Sequence, residues 1–70
     1  MGLQDEAIIS YQQALHFKPD YAAAYVGLAV SFMTLSQPAE ASTYCDKALQ
    51  LDPTHVNAIA LAANIAKHTG

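Results

Sequence analysis

The segment YQQALHFKPD, residues 11–20, nearly returns as YCDKALQLDP, residues 44–53. Aligned on Pro19 and Pro53, the chain repeats at an offset of 34 residues, with identical pairs at Glu6/Glu40, Ala7/Ala41, Ala14/Ala48, Leu15/Leu49, Ala24/Ala58 and Ala29/Ala63. Alanine is abundant, so the placement of the matches matters more than their number. They fall at small, close-packing positions and at a helix-breaking proline. A period of this length marks a stacked architecture, in which each unit buries its apolar face only against a neighbour.

Four helical patterns fill the period, and the chain reads as all-α. The first spans about Leu3 to Phe17, with Ala7, Ile8, Tyr11, Ala14 and Leu15 on one stripe. Pro19 ends it, because the residue before a proline is pushed out of the α region. Asp20 is then the expected cap of a second helix whose stripe is Tyr21, Tyr25, Leu28, Ala29 and Phe32. Ser36 or Gln37 with Pro38 opens a third helix, carrying Ala41, Cys45, Ala48 and Leu49. Pro53 stops it, Thr54 is the expected cap of the fourth, and Ile59, Ala62, Ala63 and Ala66 form the last stripe. No run alternates with period two.

Composition narrows the function classes. The chain is 53% hydrophobic and 13% charged, against about 25% charge in an ordinary domain. Much of the excess is alanine, which suits close helix packing, and no uncharged apolar run reaches the ~18 residues of a membrane span. Asp5 and Glu6 stand where a signal peptide needs positive charge. A net charge of -3 with three Lys and Arg leaves no footprint for nucleic acid or anionic lipid. One cysteine excludes an internal disulfide. The expectation is a cytoplasmic protein that binds neither membrane nor nucleic acid.

No constellation points to an enzyme or a cofactor. Gly2, Gly27 and Gly70 form no phosphate-cradling loop. His16, His55 and His68 are never three or four residues from one another or from a cysteine, so no pair shares a helix face and no metal site is expected. Cys45, on an inward stripe, is expected to be a small buried hydrophobe rather than a reactive thiol.

The pattern Tyr25-x2-Leu28-Ala29-x2-Phe32, then Ala41-x3-Cys45, then Pro53, resembles the tetratricopeptide repeat (TPR) family, whose unit reads W-x2-L-G-x2-Y, A-x3-F, P. Ala7-x3-Tyr11 with Pro19 looks like the end of a preceding unit, and Ile59-x2-Ala62-Ala63-x2-Ala66 like the start of a following one. The departures are Tyr25 for Trp, Ala29 for Gly, Ser36 where the mid-repeat turn has Gly, Cys45 for a large aromatic, and Ala66 for Tyr. The resemblance implies a single 70-residue segment of a right-handed α-solenoid of antiparallel helix pairs: a second helix over about 3–18, a complete repeat over 20–53, and a first helix over 54–68. The structural core is then Ala7, Tyr11, Tyr25, Leu28, Ala29, Phe32, Ala41, Cys45, Ala48 and Leu49.

In this family the first helix of each unit lines a concave groove that holds a partner's peptide or helix. Carried over by repeat position, the lining is Ala23, Val26, Gly27, Val30 and Met33, then Asn57, Ala60, Leu61, Asn64 and Lys67. With Lys67 its only cation, the groove does not suit a clamp for a C-terminal carboxylate. The asparagine of peptide-gripping arrays in protein O-glycosyltransferases is replaced by Gly27 and Leu61. The resemblance thus implies a scaffold segment binding a protein or peptide partner in a mostly apolar groove. The alternatives are a purely structural or oligomerising segment, and a piece of a glycosyltransferase's substrate-selecting array. Met1-Gly2 and Thr69-Gly70 fall on the same mid-repeat turn two units apart. The terminal helices are therefore expected to leave Ala7, Ile8 and Tyr11, and Ile59, Ala62 and Ala63, partly bare and to drive self-association.

Overall fold

The proline and turn signals divide the chain as the period requires. In a computed structural model describing residues 3–69, and the side chains of residues 5–67, the elements are α1 (Leu3–Phe17), α2 (Ala22–Thr34), α3 (Pro38–Leu51) and α4 (Val56–Thr69). Among the described residues there is no strand. Met1, Gly2 and Gly70 lie outside the described residues.

The two long connections are built alike. Lys18 N–H donates to Ala14 O and Tyr21 N–H to Lys18 O, at 2.9 and 3.1 Å. Thirty-four residues on, Asp52 N–H donates to Ala48 O and His55 N–H to Asp52 O, at 2.8 and 3.1 Å. The period is therefore carried by the backbone as well as by the side chains. Both expected caps lie one residue too early. Tyr21, not Asp20, is the extended residue before α2, and it makes no side-chain cap bond. At the equivalent place His55, not Thr54, caps α4: its Nδ1 accepts from Ala58 N–H at 3.3 Å. Thr54 instead donates its N–H and hydroxyl to Asp52 Oδ1, tightening the turn around Pro53.

The mid-repeat turn closes α2 by the Schellman pattern: Ser36 N–H donates to Met33 O and Gln37 N–H to Phe32 O, at 3.0 and 2.8 Å. This pattern needs a left-handed residue just past the helix, and Ser36 takes it with φ 61°. Ser36 is thus spent on the turn and Gln37 makes no side-chain cap bond. Pro38 stands in the first turn of α3, where its missing N–H leaves no bond unmade.

Packing runs between neighbours. α1 lies on α2, α2 on α3 and α3 on α4, while α2 also meets α4. The Cα extents of 33 × 31 × 15 Å describe a slab two helices thick. The all-α helical-repeat fold expected from the sequence is the fold observed.

A first-type helix in such a stack needs two buried faces, and α2 shows both. One carries Ala24, Gly27, Leu28 and Ser31 toward α1; Ala24, Leu28 and Ser31 are buried, and the Tyr11 ring lies over Gly27. The other meets α3 through Tyr25, Ala29 and Phe32. Tyr44 stacks between the two aromatics there, 6.3 Å from Tyr25 and 5.3 Å from Phe32 between ring centroids. Ala29, Ala41 and Ala48 have no exposed surface. Small residues there allow close helix approach, and the aromatic stack fills the flank.

On α4 the buried face is Ala58, Leu61 and Ile65, with Ala62 half-buried. The expected stripe of Ile59, Ala63 and Ala66 is exposed instead. The reason is that these three occupy the second face, the one that α3 covers on α2. On the first face the sizes exchange between copies. The large Tyr11 faces Gly27, whereas the small Cys45 shares a buried cluster with Leu61. The small Cys45 leaves room for Leu61, as Gly27 leaves room for the Tyr11 ring.

Candidate functional site

The residues expected to line a groove lie on α2 and α4, which touch each other. Ala23, Val30, Asn57, Ala60, Asn64 and Lys67 are exposed, Val30 to 47%. Met33 is half-buried and packed against the core. Val26 is 7% exposed and Leu61 9%, and both belong to the central cluster with Ala58 and Ile65. They stand where α2 meets α4 and support the surface from below, so neither is open to a partner. Gly27 is covered by the Tyr11 ring. What remains is a shallow two-helix surface of apolar side chains with two amides and one cation.

Of the expected core, Leu28, Ala29, Ala41, Cys45 and Ala48 are buried, while Ala7, Tyr11, Tyr25, Phe32 and Leu49 are half-buried. Tyr21, placed on the inner stripe of α2, is 44% exposed, with Lys18 Nζ 5.3 Å above its ring. Tyr44 is absent from the expected core, although its spacing points inward: it lies three residues from Ala41 and four from Ala48, both buried, on the side of α3 that faces α2.

Among the described residues, clefts also lie away from the α2/α4 surface. One of about 490 Å³ is lined by Tyr25, Thr43, Tyr44, Asp46, Lys47 and Gln50. A second of about 200 Å³ opens between α3 and α4, beside Ser42, Cys45, Asp46, Ala62, Ile65 and Ala66. At its floor the Cys45 thiol donates to Ala58 O at 3.2 Å. Burial pushes that thiol above its ordinary pKa, and the charge of Asp46 adds to the shift. A neutral, hydrogen-bonded, buried thiol is a poor nucleophile. Among the described residues no three His, Cys, Asp or Glu side chains gather to hold a metal. The side chain of His68 lies outside those described. Among the described residues no helix is long and apolar enough to cross a membrane.

Helix pairs stacked at a fixed 34-residue period, with the helix that opens the complete repeat, α2, buried on two faces, define a helical-repeat protein. Residues 22–55 match the family model of the tetratricopeptide repeat, beginning where α2 begins, and residues 1–36 match a second, described as TPR repeat. The chain belongs to the tetratricopeptide repeat family. No curated protein matches it.

Proposed function

We propose that the chain is a protein–protein interaction module, a scaffold segment that holds a partner's peptide or helix against the joined faces of α2 and α4. TPR repeats generally mediate protein–protein contacts. The observation that carries the particular surface is the exposure of Ala23, Val30, Ala60, Asn57 and Asn64 on two helices held together by Val26 and Leu61. Apolar side chains supply area there, and the two amides supply hydrogen bonds to an extended backbone or a helix end. Such modules are typically non-catalytic. A reducing compartment such as the cytoplasm suits the lone thiol of Cys45. Self-association through the terminal helices belongs to the same reading.

The test is retention of a binding peptide, selected by display on the immobilised 70-residue chain, by the variants Val30→Asp and Asn64→Ala. Loss of retention by Val30→Asp with unchanged helicity supports the reading. Full retention by both variants refutes it. Because the lining carries one cation, raising salt from low to physiological strength should weaken binding little.

A further inference from the structure

In the contact of α2 with α3, Ala29 on one helix and Ala41 and Ala48 on the other are completely buried. The period places the same residues at Ala63 on α4 and at Ala7 and Ala14 on α1. There Ala63 is exposed and the other two only half-buried. Residues identical at the packing positions are thus closed in the middle of the chain and open at its two ends.

The aromatic flank repeats the contrast. Ala66, which is exposed, is the counterpart of Phe32, over which Tyr44 of α3 lies at 5.3 Å, nearly parallel. α3 therefore covers this position on α2, and among the described residues nothing covers it on α4. One other helix of this chain shares the repeat position of α3, and that is α1. The charges agree with this occupant. α2 and α3 run antiparallel with Tyr44 between Tyr25 and Phe32. By the period, exposed Lys67 of α4 and exposed Glu6 of α1 stand at the positions of Met33 near the end of α2 and Glu40 near the start of α3, and their charges are opposite.

We propose that α4 of one copy receives α1 of a second copy in the register in which α2 receives α3, so that two copies complete a repeat between them. This rests on reading the chain as an interaction module, but it uses a different surface from the one proposed for other partners. The contact joins two unlike patches, so it builds open chains or, by reciprocal exchange, a swapped dimer. It is weaker than the internal contact, because Ile59, Ser10 and Ala66 stand where Tyr25, Tyr44 and Phe32 form the aromatic stack.

Light scattering on size-exclusion fractions, loaded at about 10 µM and about 500 µM, brackets the affinities such a contact gives. The weight-average mass should rise above 7.5 kDa at the higher concentration. Ala63→Asp should hold it at 7.5 kDa without loss of helicity, since this side chain is exposed in the single copy. The double variant Ser10→Tyr/Ala66→Phe, which copies the internal stack into the new contact, should tighten association about tenfold. Val30→Asp, on the surface proposed for other partners, should leave it unchanged. A mass of 7.5 kDa for the parent at both concentrations overturns the proposal. So does association of Ala63→Asp equal to the parent, or association abolished by Val30→Asp. If Ala63→Asp loses helicity, the aromatic double variant decides, and failure of that variant to tighten association overturns the proposal.

Discussion

Replacing a glycine in the middle of an exposed helix by alanine ordinarily stabilises it by about 1 kcal/mol. Gly27 should behave in the opposite sense, because α1 rests on it. A Cβ added there would lie 2.7 Å from Cε2 of Tyr11, and closer still to Cζ and Cε1, where carbon atoms prefer about 3.5–4.0 Å. Ring atoms on both sides of Cζ are involved, so a small rotation does not relieve the overlap. The ring must leave its site or α1 must lift away. Overpacking of this kind costs about 1–3 kcal/mol, which exceeds the helix-propensity gain. Gly27→Ala should therefore destabilise the chain by about 1 kcal/mol, measured by urea unfolding followed by circular dichroism. In a Tyr11→Leu background, which lacks the clashing atoms but keeps an apolar filler, the same change should stabilise by about 1 kcal/mol. The cycle then gives a coupling of about 2 kcal/mol. Stabilisation by Gly27→Ala in the parent, with no coupling to position 11, would refute this account of the α1–α2 contact.

Other changes follow from single observations. Ser36 holds a left-handed conformation that costs a non-glycine residue about 1–2 kcal/mol, so Ser36→Gly should raise stability by about 1 kcal/mol and its melting temperature with it. Tyr44→Ala removes the middle of the aromatic stack and should cost about 3 kcal/mol, whereas the neighbouring exposed Thr43→Ala should cost little on the same thermal melts. The Cys45 thiol is pushed above its ordinary pKa in the folded chain, so the folded form holds its proton to higher pH than the unfolded form does. The stability it contributes is complete below the unfolded thiol's pKa and is lost as pH rises through the folded one. A Cys45→Ala chain should lack this alkaline decline in urea titrations, and alkylation of Cys45 in the parent should proceed only as fast as the chain opens.

The helices were legible in the sequence because prolines and the 34-residue period punctuate them, and the observed bounds of α1 coincide with those expected. Caps were less legible. Asp20 and Thr54 have the right chemistry, but the backbone turns one residue later at both places, leaving Tyr21 without a side-chain bond and giving the role to His55 Nδ1. The faces were the harder part. A single apolar stripe does not describe a first-type helix in a stack, which has one face for the helix before it and another for the helix after it. On α4 the single stripe puts Ile59, Ala63 and Ala66 inward and Leu61 in the groove, although Leu61 and Ile65 are the buried pair. Val26 falls to the groove in the same way, because its burial depends on α4, distant in sequence and meeting α2 only when the repeats stack. The exchange of Tyr11 and Gly27 for Cys45 and Leu61 is visible in the sequence once the two faces are separated.

The central functional claim concerns which surface meets a partner, and amide shift mapping by NMR tests it most directly. The probe is a display-selected peptide titrated into the isotope-labelled chain. The account predicts shift changes centred on Ala23, Val30, Asn57, Ala60 and Asn64, with the α3 amides near Thr43, Lys47 and Gln50 unmoved. Changes centred on those α3 residues, around the cleft beside Tyr25 and Tyr44, with α2 and α4 silent at Val30 and Asn64, would contradict it.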